Sequence, residues 1–140
     1  MNGKYFIDTN VFIYSFDINQ PTKQERSREL IQIGLGSGFG IISTQVIQEF
    51  LNAATRKFAV PMKPEDSKAY LRLVMNPLCQ VYPDLSFYEG TLDLQAETGY
   101  SFYDSLILSA AIRGGCSFLF TEDMQDGQEI HGVMIKNPFI

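Results

Sequence analysis

Hydrophobic residues along this chain fall into short runs rich in β-branched and aromatic residues and longer stretches with helical spacing. The short runs predict five β-strands, at residues 4–7, 39–42, 79–82, 117–120 and 133–136. The longer stretches predict helices at residues 24–35, 44–58, 64–76, 85–97 and 102–113. Strands that alternate with helices in this way are typical of a parallel sheet covered by helices on both faces. We therefore expect an α/β fold.

The clearest helix boundaries are marked by capping residues. Ser43 and Thr44 stand at the start of one predicted helix, and Ser101 stands before the helix that ends at Arg113.

The glycine-rich segment 34–40 fits no phosphate-loop pattern, and it follows a helix and precedes a strand. Because phosphate is cradled at the N-terminus of a helix, we interpret this segment as a helix C-cap and a flexible connection.

The composition indicates one globular domain spanning residues 1–140. Hydrophobic residues make up 45% of the chain and charged residues 19%, and no repeat or linker divides it. The two cysteines, Cys79 and Cys116, are expected to be reduced and buried. The sequence shows no apolar run of the ~18 residues that a membrane span needs and no signal-peptide pattern. We therefore expect a soluble, cytoplasmic protein without a membrane partner.

Two aspartates occupy positions at which a carboxylate is informative. Asp8 ends the first predicted strand, so it either projects into the crevice above the sheet or caps the following helix. Asp104 is the only charged residue in the apolar stretch 102–112, which predicts a partly buried carboxylate at a helix N-terminus. Ser101 and Asp104 also form a capping box, and the capping and functional interpretations of Asp104 are compatible.

Two further acidic positions have an ordinary interpretation when each is taken alone. Glu49 lies about 130° from the apolar stripe of its predicted helix, which is typical of a solvated surface glutamate. Residues 121–127 contain Glu122, Asp123 and Asp126 directly after a strand, which is typical of a polar turn. In the functional interpretation, Asp123 and Asp126 add to the same crevice as Asp8.

Four of these carboxylates are expected to fall just after a strand or in the first two turns of the helix that follows one, and such positions converge at one end of a parallel sheet. They are Asp8, Glu49, Asp104 and Asp123. At ~5 Å spacing they would repel by about 3 kcal/mol per pair at an effective dielectric of about 20, so protonation or a cation must relieve the repulsion. Oxygen ligands without histidine or cysteine favour Mg²⁺ or Mn²⁺, and such an ion suits phosphodiester hydrolysis.

The charge balance is consistent with this hypothesis. The net charge of −5 by itself argues against a nucleic-acid partner. Without the four carboxylates, 12 acidic and 11 basic residues remain, a balance of −1. A modest basic group on two consecutive predicted helices either meets a phosphate backbone or forms a solvated face. It comprises Arg56, Lys57, Lys63, Lys68 and Arg72.

The ordered set of motifs resembles a known family. The set comprises Asp8-Thr9-Asn10 after the first strand, Glu49 within Ser-Thr-Gln-Val-Ile-Gln-Glu-Phe, Asp104 at the start of an apolar helix, and Thr121-x-Asp123-x-x-Asp126 after a late strand. Together these motifs resemble a PIN domain, and more narrowly the small single-domain PIN proteins of the VapC toxin type. The resemblance covers essentially the whole chain. It implies a three-layer α/β/α sandwich with a central parallel sheet.

The resemblance also implies chemistry and partners. It implies a Mg²⁺- or Mn²⁺-dependent ribonuclease whose catalytic and metal-binding acids are Asp8, Glu49, Asp104 and Asp123. Asp126 matches a more variable additional metal-binding acid, and Asn10 and Thr121 match polar residues that orient the acids. Gly127 departs from the family pattern, where a bulky aromatic residue is common. The resemblance further implies a homodimer, an RNA substrate and a small antitoxin.

The sequence therefore leaves three functional hypotheses for this protein. The leading hypothesis is a metal-dependent endoribonuclease, the toxin of a toxin–antitoxin pair, although residue chemistry alone extends only to phosphate-ester hydrolysis. The second is a catalytically silent PIN-like module that binds RNA or a protein. The third is a phosphatase with Asp8 as covalent nucleophile. Asn10 argues against the phosphatase, because that chemistry commonly places an aspartate there as general acid.

Overall fold

The first strand of the chain lies inside a six-stranded sheet. The computed structural model describes residues 3–140. The strands are β1 (Tyr5–Ile7), β2 (Gly40–Ser43), β3 (Cys79–Val81), β4 (Phe118–Phe120), β5 (Glu129–Ile130) and β6 (Val133–Lys136). Their order is β3-β2-β1-β4-β6-β5, and all neighbours pair in parallel except β5 and β6. The five predicted strands are confirmed, and β5 adds an antiparallel edge that the sequence pattern did not predict.

Helices cover the sheet. They are α1 (Thr9–Tyr14), α2 (Pro21–Ser37), α3 (Thr44–Arg56), α4 (Pro64–Tyr70), α5 (Asn76–Leu78), α6 (Leu85–Thr98) and α7 (Phe102–Arg113). A π-helical segment (Leu71–Met75) joins α4 to α5, so the prediction that this helix ends before Pro77 is wrong. Pro77 is the second residue of α5, and the two residues before it, Met75 and Asn76, already have helical backbone angles, so the helical run continues through the proline to Leu78.

The connections between strands place helices on both faces and create a crevice at one edge of the sheet. From β1 the chain moves outward through β2 to β3, and it then returns to the other side of β1 as β4. Helix α2 packs against β1 and β2, and α7 packs against β1, β2 and β4 with α6 outside it. The order therefore reverses between β1 and β4, and ligands of such sheets bind beyond the C-terminal ends of the strands at that point.

The hydrophobic core is continuous through the sheet and both helical layers. Strands β1 and β2 are buried along their whole length, as expected for parallel strands covered on both faces. The largest fully buried side chains are Phe6, Phe12, Phe50, Phe120, Ile7, Ile41, Ile42, Met75, Leu78, Leu108, Leu119 and Ile135. Both cysteines are free and buried, as predicted. Within residues 3–140, no helix is both long enough and apolar enough to cross a membrane.

The glycine-rich segment is partly a cap and partly a packing contact. Gly38 ends α2 in the left-handed conformation, with φ 77°, which confirms the predicted C-cap. The helix itself continues through Gly34, where the backbone comes close to Gly40 of β2. A Cβ atom on Gly40 would lie 2.7 Å from the Cα atom of Gly34. Glycine is therefore needed at this crossing for close approach of two backbones.

Candidate active site

Asp8 is the most buried carboxylate near the crevice, with only 5% of its surface exposed. It follows β1 and occupies the N-cap of α1, where its Oδ1 accepts a hydrogen bond from Thr9 N at 2.7 Å. Its Oδ2 accepts a hydrogen bond from Thr121 Oγ1 at 2.7 Å. Burial raises the pKa of Asp8 to about 6, although both hydrogen bonds act to lower it. Asp8 is therefore both the helix cap and a carboxylate at the crevice.

Glu49 is held over the same crevice from α3, which packs against α1. It is exposed on α3, as the helical periodicity predicts, and its Oε1 accepts a hydrogen bond from Thr9 Oγ1 at 2.6 Å. Because Thr9 also donates its backbone N–H to Asp8, this one residue links the two carboxylates. The negative charge of Glu49 is among the factors that raise the pKa of Asp8.

Asp123 lies in the loop after β4. Its Oδ2 accepts a hydrogen bond from Asn10 Nδ2 at 2.8 Å, and its backbone N–H donates to Thr121 Oγ1 at 3.1 Å. Thr121 thus contacts two of the acids, through its hydroxyl group. Burial raises the pKa of Asp123, and three neighbouring carboxylates raise it further. These neighbours are Glu122, Asp104 and Glu49.

Asp104 is half-buried in the first turn of α7, as predicted. The capping interaction is also present, because Asp104 N donates to Ser101 Oγ at 3.1 Å. The expectation that each acid follows a strand does not hold here, since α7 follows helix α6. Asp104 still reaches the crevice because α7 leads into β4 from the opposite direction, which places its first turn beyond the C-terminal end of that strand.

The four carboxylates line one cavity of about 380 Å³. The other polar side chains around it are Thr9, Asn10, Gln45, Asn52, Lys57 and Tyr103. Lys57 is the one cationic side chain that lines this cavity in the described part of the chain. Four acids facing a single lysine make the cavity strongly negative, and this charge favours a bound cation.

The chemistry of the cavity fits a hard divalent ion, because the lining groups that could ligate a metal offer carboxylate, hydroxyl and amide oxygens and include no histidine or cysteine. Among residues 3–140, however, no three histidine, cysteine or acidic side chains are arranged to hold a metal ion directly. Mg²⁺ is usually bound by only one or two carboxylates and keeps several water molecules. The arrangement is therefore compatible with a largely hydrated ion and differs from a closed structural metal site.

Asp126 is not brought together with the other four acids. It is exposed, it does not line the cavity, and its Oδ1 accepts a hydrogen bond from Asn137 N at 2.7 Å. This contact joins the loop after β4 to the segment after β6. The structure therefore gives Asp126 a loop-bracing contact, and the metal-binding role that the resemblance implied for it has no support in its position.

Sequence reasoning missed a clamp behind Asp123. Glu122 accepts a hydrogen bond from the hydroxyl of Tyr14, and its Oε2 lies 3.1 Å from Lys23 Nζ. The Lys23 ammonium also lies 4.5 Å from the ring centroid of Tyr14. This clamp ties the loop that carries Asp123 to α1 and α2. The three residues are spread over 108 positions, so no local pattern could have grouped them.

The fold and the cavity define an α/β/α protein with acidic side chains gathered at the switch point of a mostly parallel sheet. Comparison with family models gives a match to the PIN domain over residues 5–125. The chain belongs to the PIN domain family. No curated protein sequence gives a significant match.

Solved structures show the same fold at low sequence identity. A toxin–antitoxin complex from Klebsiella pneumoniae superposes with a TM-score of 0.66 at 17% identity, covering 96% of this chain and 98% of that one. The DNA-bound VapBC complex from Salmonella typhimurium has a TM-score of 0.66 at 21% identity, covering 98% and 99%. VapC20 of Mycobacterium tuberculosis, described as a toxin that cleaves the sarcin-ricin loop, has a TM-score of 0.57 at 17% identity, covering 86% and 92%.

Proposed function

We propose that this protein is a metal-dependent endoribonuclease and the toxin of a toxin–antitoxin pair. The observation that carries the proposal is the cavity in which Asp8, Glu49, Asp104 and Asp123 face one another with a single lysine. Membership in the PIN domain family and the likeness to toxin structures support RNA as the substrate and the toxin role. The cofactor of the proposed reaction is Mg²⁺ or Mn²⁺.

In the proposed reaction, the chain's own residues position the acids. Asp8, Glu49, Asp104 and Asp123 would hold a hydrated divalent ion, which would supply a nucleophilic water and stabilise the charge that develops on the phosphate. Thr9 and Thr121 fix both oxygens of Asp8, and Asn10 fixes one oxygen of Asp123. These hydrogen bonds hold the acids before substrate binds, so less reorganisation is needed during the reaction. The amide of Asn10 donates to a carboxylate, which argues against a phosphatase-type general acid there.

The test is cleavage of a panel of structured RNAs by the purified protein with Mg²⁺, with Mn²⁺ and with EDTA. We expect cleavage only with a metal ion, and we expect Asp104→Asn to abolish it while the fold remains intact. Asp93→Asn is the matched control, because Asp93 is exposed on α6 and lies outside the acidic cavity. Full activity in folded Asp104→Asn protein would rule out the proposed role of this acid.

A catalytically silent PIN module is the second candidate. The observation in its favour is that no three potential ligand side chains among residues 3–140 are arranged to hold a metal directly. Titration with Mn²⁺ separates the two functions. A site filled at 100 times its dissociation constant stabilises the fold by about 2.7 kcal/mol, which raises the melting temperature by several degrees. The silent module predicts no such rise, with or without RNA.

The proposal includes two protein partners. The Klebsiella and Salmonella structures are described as toxin–antitoxin and VapBC complexes, which supports a small antitoxin as partner of this chain. The homodimer and the cytoplasmic location implied by the sequence remain predictions. Light scattering on the purified protein tests the dimer. Co-purification with the product of a short neighbouring reading frame tests the antitoxin.

A further inference from the structure

A second cavity adjoins the acidic one and has a different character. Its volume is about 240 Å³, and none of the described residues that line it is charged. Gln45 and Tyr103 line both cavities, so the two share a wall. The second cavity offers no cation that could bind a phosphate. An uncharged group attached to a phosphate in the first cavity would, however, be within reach of the second cavity.

Two exposed tyrosines stand at this cavity, and each is supported by a neighbouring phenylalanine. The sequence Ser-Phe-Tyr occurs twice, at residues 86–88 and 101–103, and both copies lie at the start of a helix. Tyr88 packs edge-to-face on Phe87 at 5.8 Å between ring centroids, and Tyr103 packs edge-to-face on Phe102 at 5.6 Å. Tyr88 is 43% exposed and Tyr103 is 65% exposed. Exposed rings held by a neighbour in this way are suited to stacking on a flat ligand.

Polar groups at the cavity have hydrogen-bonding capacity to spare. Gln45 Nε2 lies 3.4 Å from both Glu49 Oε2 and the Tyr103 carbonyl oxygen, which makes both bonds weak, and Gln48 lines the cavity as well. Ser43 also lines the cavity and is only 4% exposed, yet its hydroxyl has no hydrogen-bond partner within residues 3–140. It occupies the N-cap position of α3 without making the capping bond. The two glutamine amides are therefore the groups at this cavity that have donors and acceptors available to a ligand.

We propose that this cavity binds a nucleobase adjacent to the phosphate that is cleaved, an inference that rests on the proposed ribonuclease function. A nucleobase is flat and uncharged, so it can stack on Tyr103 and Tyr88. Its edge carries donors and acceptors that the amides of Gln45 and Gln48 can match. Such contacts require an unstacked base. The substrate class is therefore a single-stranded or loop segment of RNA, because bases within a duplex do not present their faces.

The direct test is an NMR titration of the ¹⁵N-labelled full chain in EDTA with adenosine, cytidine or uridine, each taken to its solubility limit. Ribose serves as the probe without a base. We expect saturable shifts at the side-chain amides of Gln45 and Gln48 with at least one nucleoside and none with ribose. Tyr103→Ala should abolish the shifts. Phe39→Ala should keep them, because Phe39 is an exposed aromatic residue at the opposite end of the strands.

Absence of saturable shifts at these amides, or shifts that persist in folded Tyr103→Ala protein, would overturn the base site. Neutral nucleosides need no metal ion, so this result is independent of whether RNA is cleaved. In the active protein, stacking on one ring predicts a rise in KM of about fivefold or more for Tyr103→Ala, with kcat retained. Tyr103→Phe keeps the ring and should restore the wild-type KM. An unchanged KM in Tyr103→Ala would equally count against the proposal.

Discussion

Asp8 shows how one residue serves both folding and the proposed chemistry. Its two oxygens accept hydrogen bonds from the start of α1 and from the strand end at Thr121, so it connects β1 to β4 beyond the sheet. The same side chain is buried, and burial is the largest cause of its raised pKa of about 6. The folded protein therefore binds a proton at Asp8 more tightly than the unfolded chain does. The contribution of Asp8 to the free energy of unfolding therefore falls as the pH rises from about 4 to about 6.

We predict that Asp8→Asn stabilises the protein in EDTA at pH 7. The raised pKa of about 6 corresponds to at most about 3 kcal/mol of unfavourable ionisation, which the amide does not incur. The asparagine oxygen can still accept from Thr9 N, and the Thr121 hydroxyl can accept from the new amide. Urea denaturation at pH 4 and pH 7 measures the effect, which should grow with pH.

Asp84→Asn is the control with the opposite sign. The hydrogen bond from Phe87 N is the largest factor that holds the pKa of Asp84 below its usual value, followed by contacts with Ser86 and Arg113. Its stabilising contribution is therefore present at neutral pH and is lost as the pH falls through the folded-state pKa. We expect Asp84→Asn to destabilise the protein at pH 7. Equal responses of the two variants to pH would refute this account of Asp8.

The sequence alone predicted the position of some acidic side chains relative to the cavity better than that of others. Asp104 was predictable because a lone charge in an apolar helix has few alternatives to a buried helix N-terminus. The helical pattern around Glu49 predicted only a surface residue, and its exposure is real; only its place in the ordered set of acids suggested the cavity, where it contacts Thr9, 40 positions away. Asp126 shares a loop with Asp123 but turns to Asn137, a backbone contact that a motif does not encode.

At the level of elements, α2 and β2 meet at a contact that only glycine allows. The nearest atoms to a Cβ on Gly40 would be the backbone Cα and C of Gly34, at 2.7 and 3.2 Å. Backbone atoms cannot rotate away, so an added methyl group would push the helix off the sheet. The sequence pattern identified the glycines and the C-cap but not this crossing, because the crossing depends on which strand α2 packs against.

We predict that Gly40→Ala destabilises the protein by about 1–3 kcal/mol, the usual cost of overpacking a core contact. Gly36→Ala is the matched control in the same segment, since a Cβ there would meet no atom within 4 Å. Gly36 lies in the last turn of α2, so this second change should stabilise the protein by up to about 1 kcal/mol. Thermal unfolding of both variants gives the comparison. A neutral Gly40→Ala would mean that α2 is not held against β2 as described.

The five parallel strands were predicted from two different patterns. Burial on both faces makes β1 and β2 continuous apolar runs, whereas β3 and β6 alternate between buried and more exposed residues. Helix α1 has six residues and β5 has two, too few for a period to show. The π-helical segment escaped prediction because its residues also fit an ordinary helix and differ only in hydrogen-bond spacing.

For the whole molecule, strand order decides which acids meet. Asp8 follows β1 and Asp123 follows β4, and these two strands are neighbours in the sheet. The hydrogen bond from Asn10 to Asp123 accordingly joins residues that are 113 positions apart along the chain. Alternation of strands and helices predicts a parallel sheet but not the order of its strands. The convergence of the acids was therefore only an expectation until the strand order was known. The cavity that results concentrates four of the negative charges of a chain whose net charge is −5.

Lys57 is the one cationic side chain among the described residues that line this negative cavity. It follows α3 and lines the acidic cavity, whereas Lys68 on α4 is exposed outside it. If Lys57 contacts a phosphate of bound RNA, Lys57→Gln should raise the KM for RNA several-fold and leave kcat near wild type. It should also reduce the slope of log affinity against log salt by about 1, because one fewer counterion is released. Lys68→Gln removes an equal charge and should change neither quantity. If the two variants show the same salt slope, the loss reflects net charge alone, and Lys57 makes no phosphate contact.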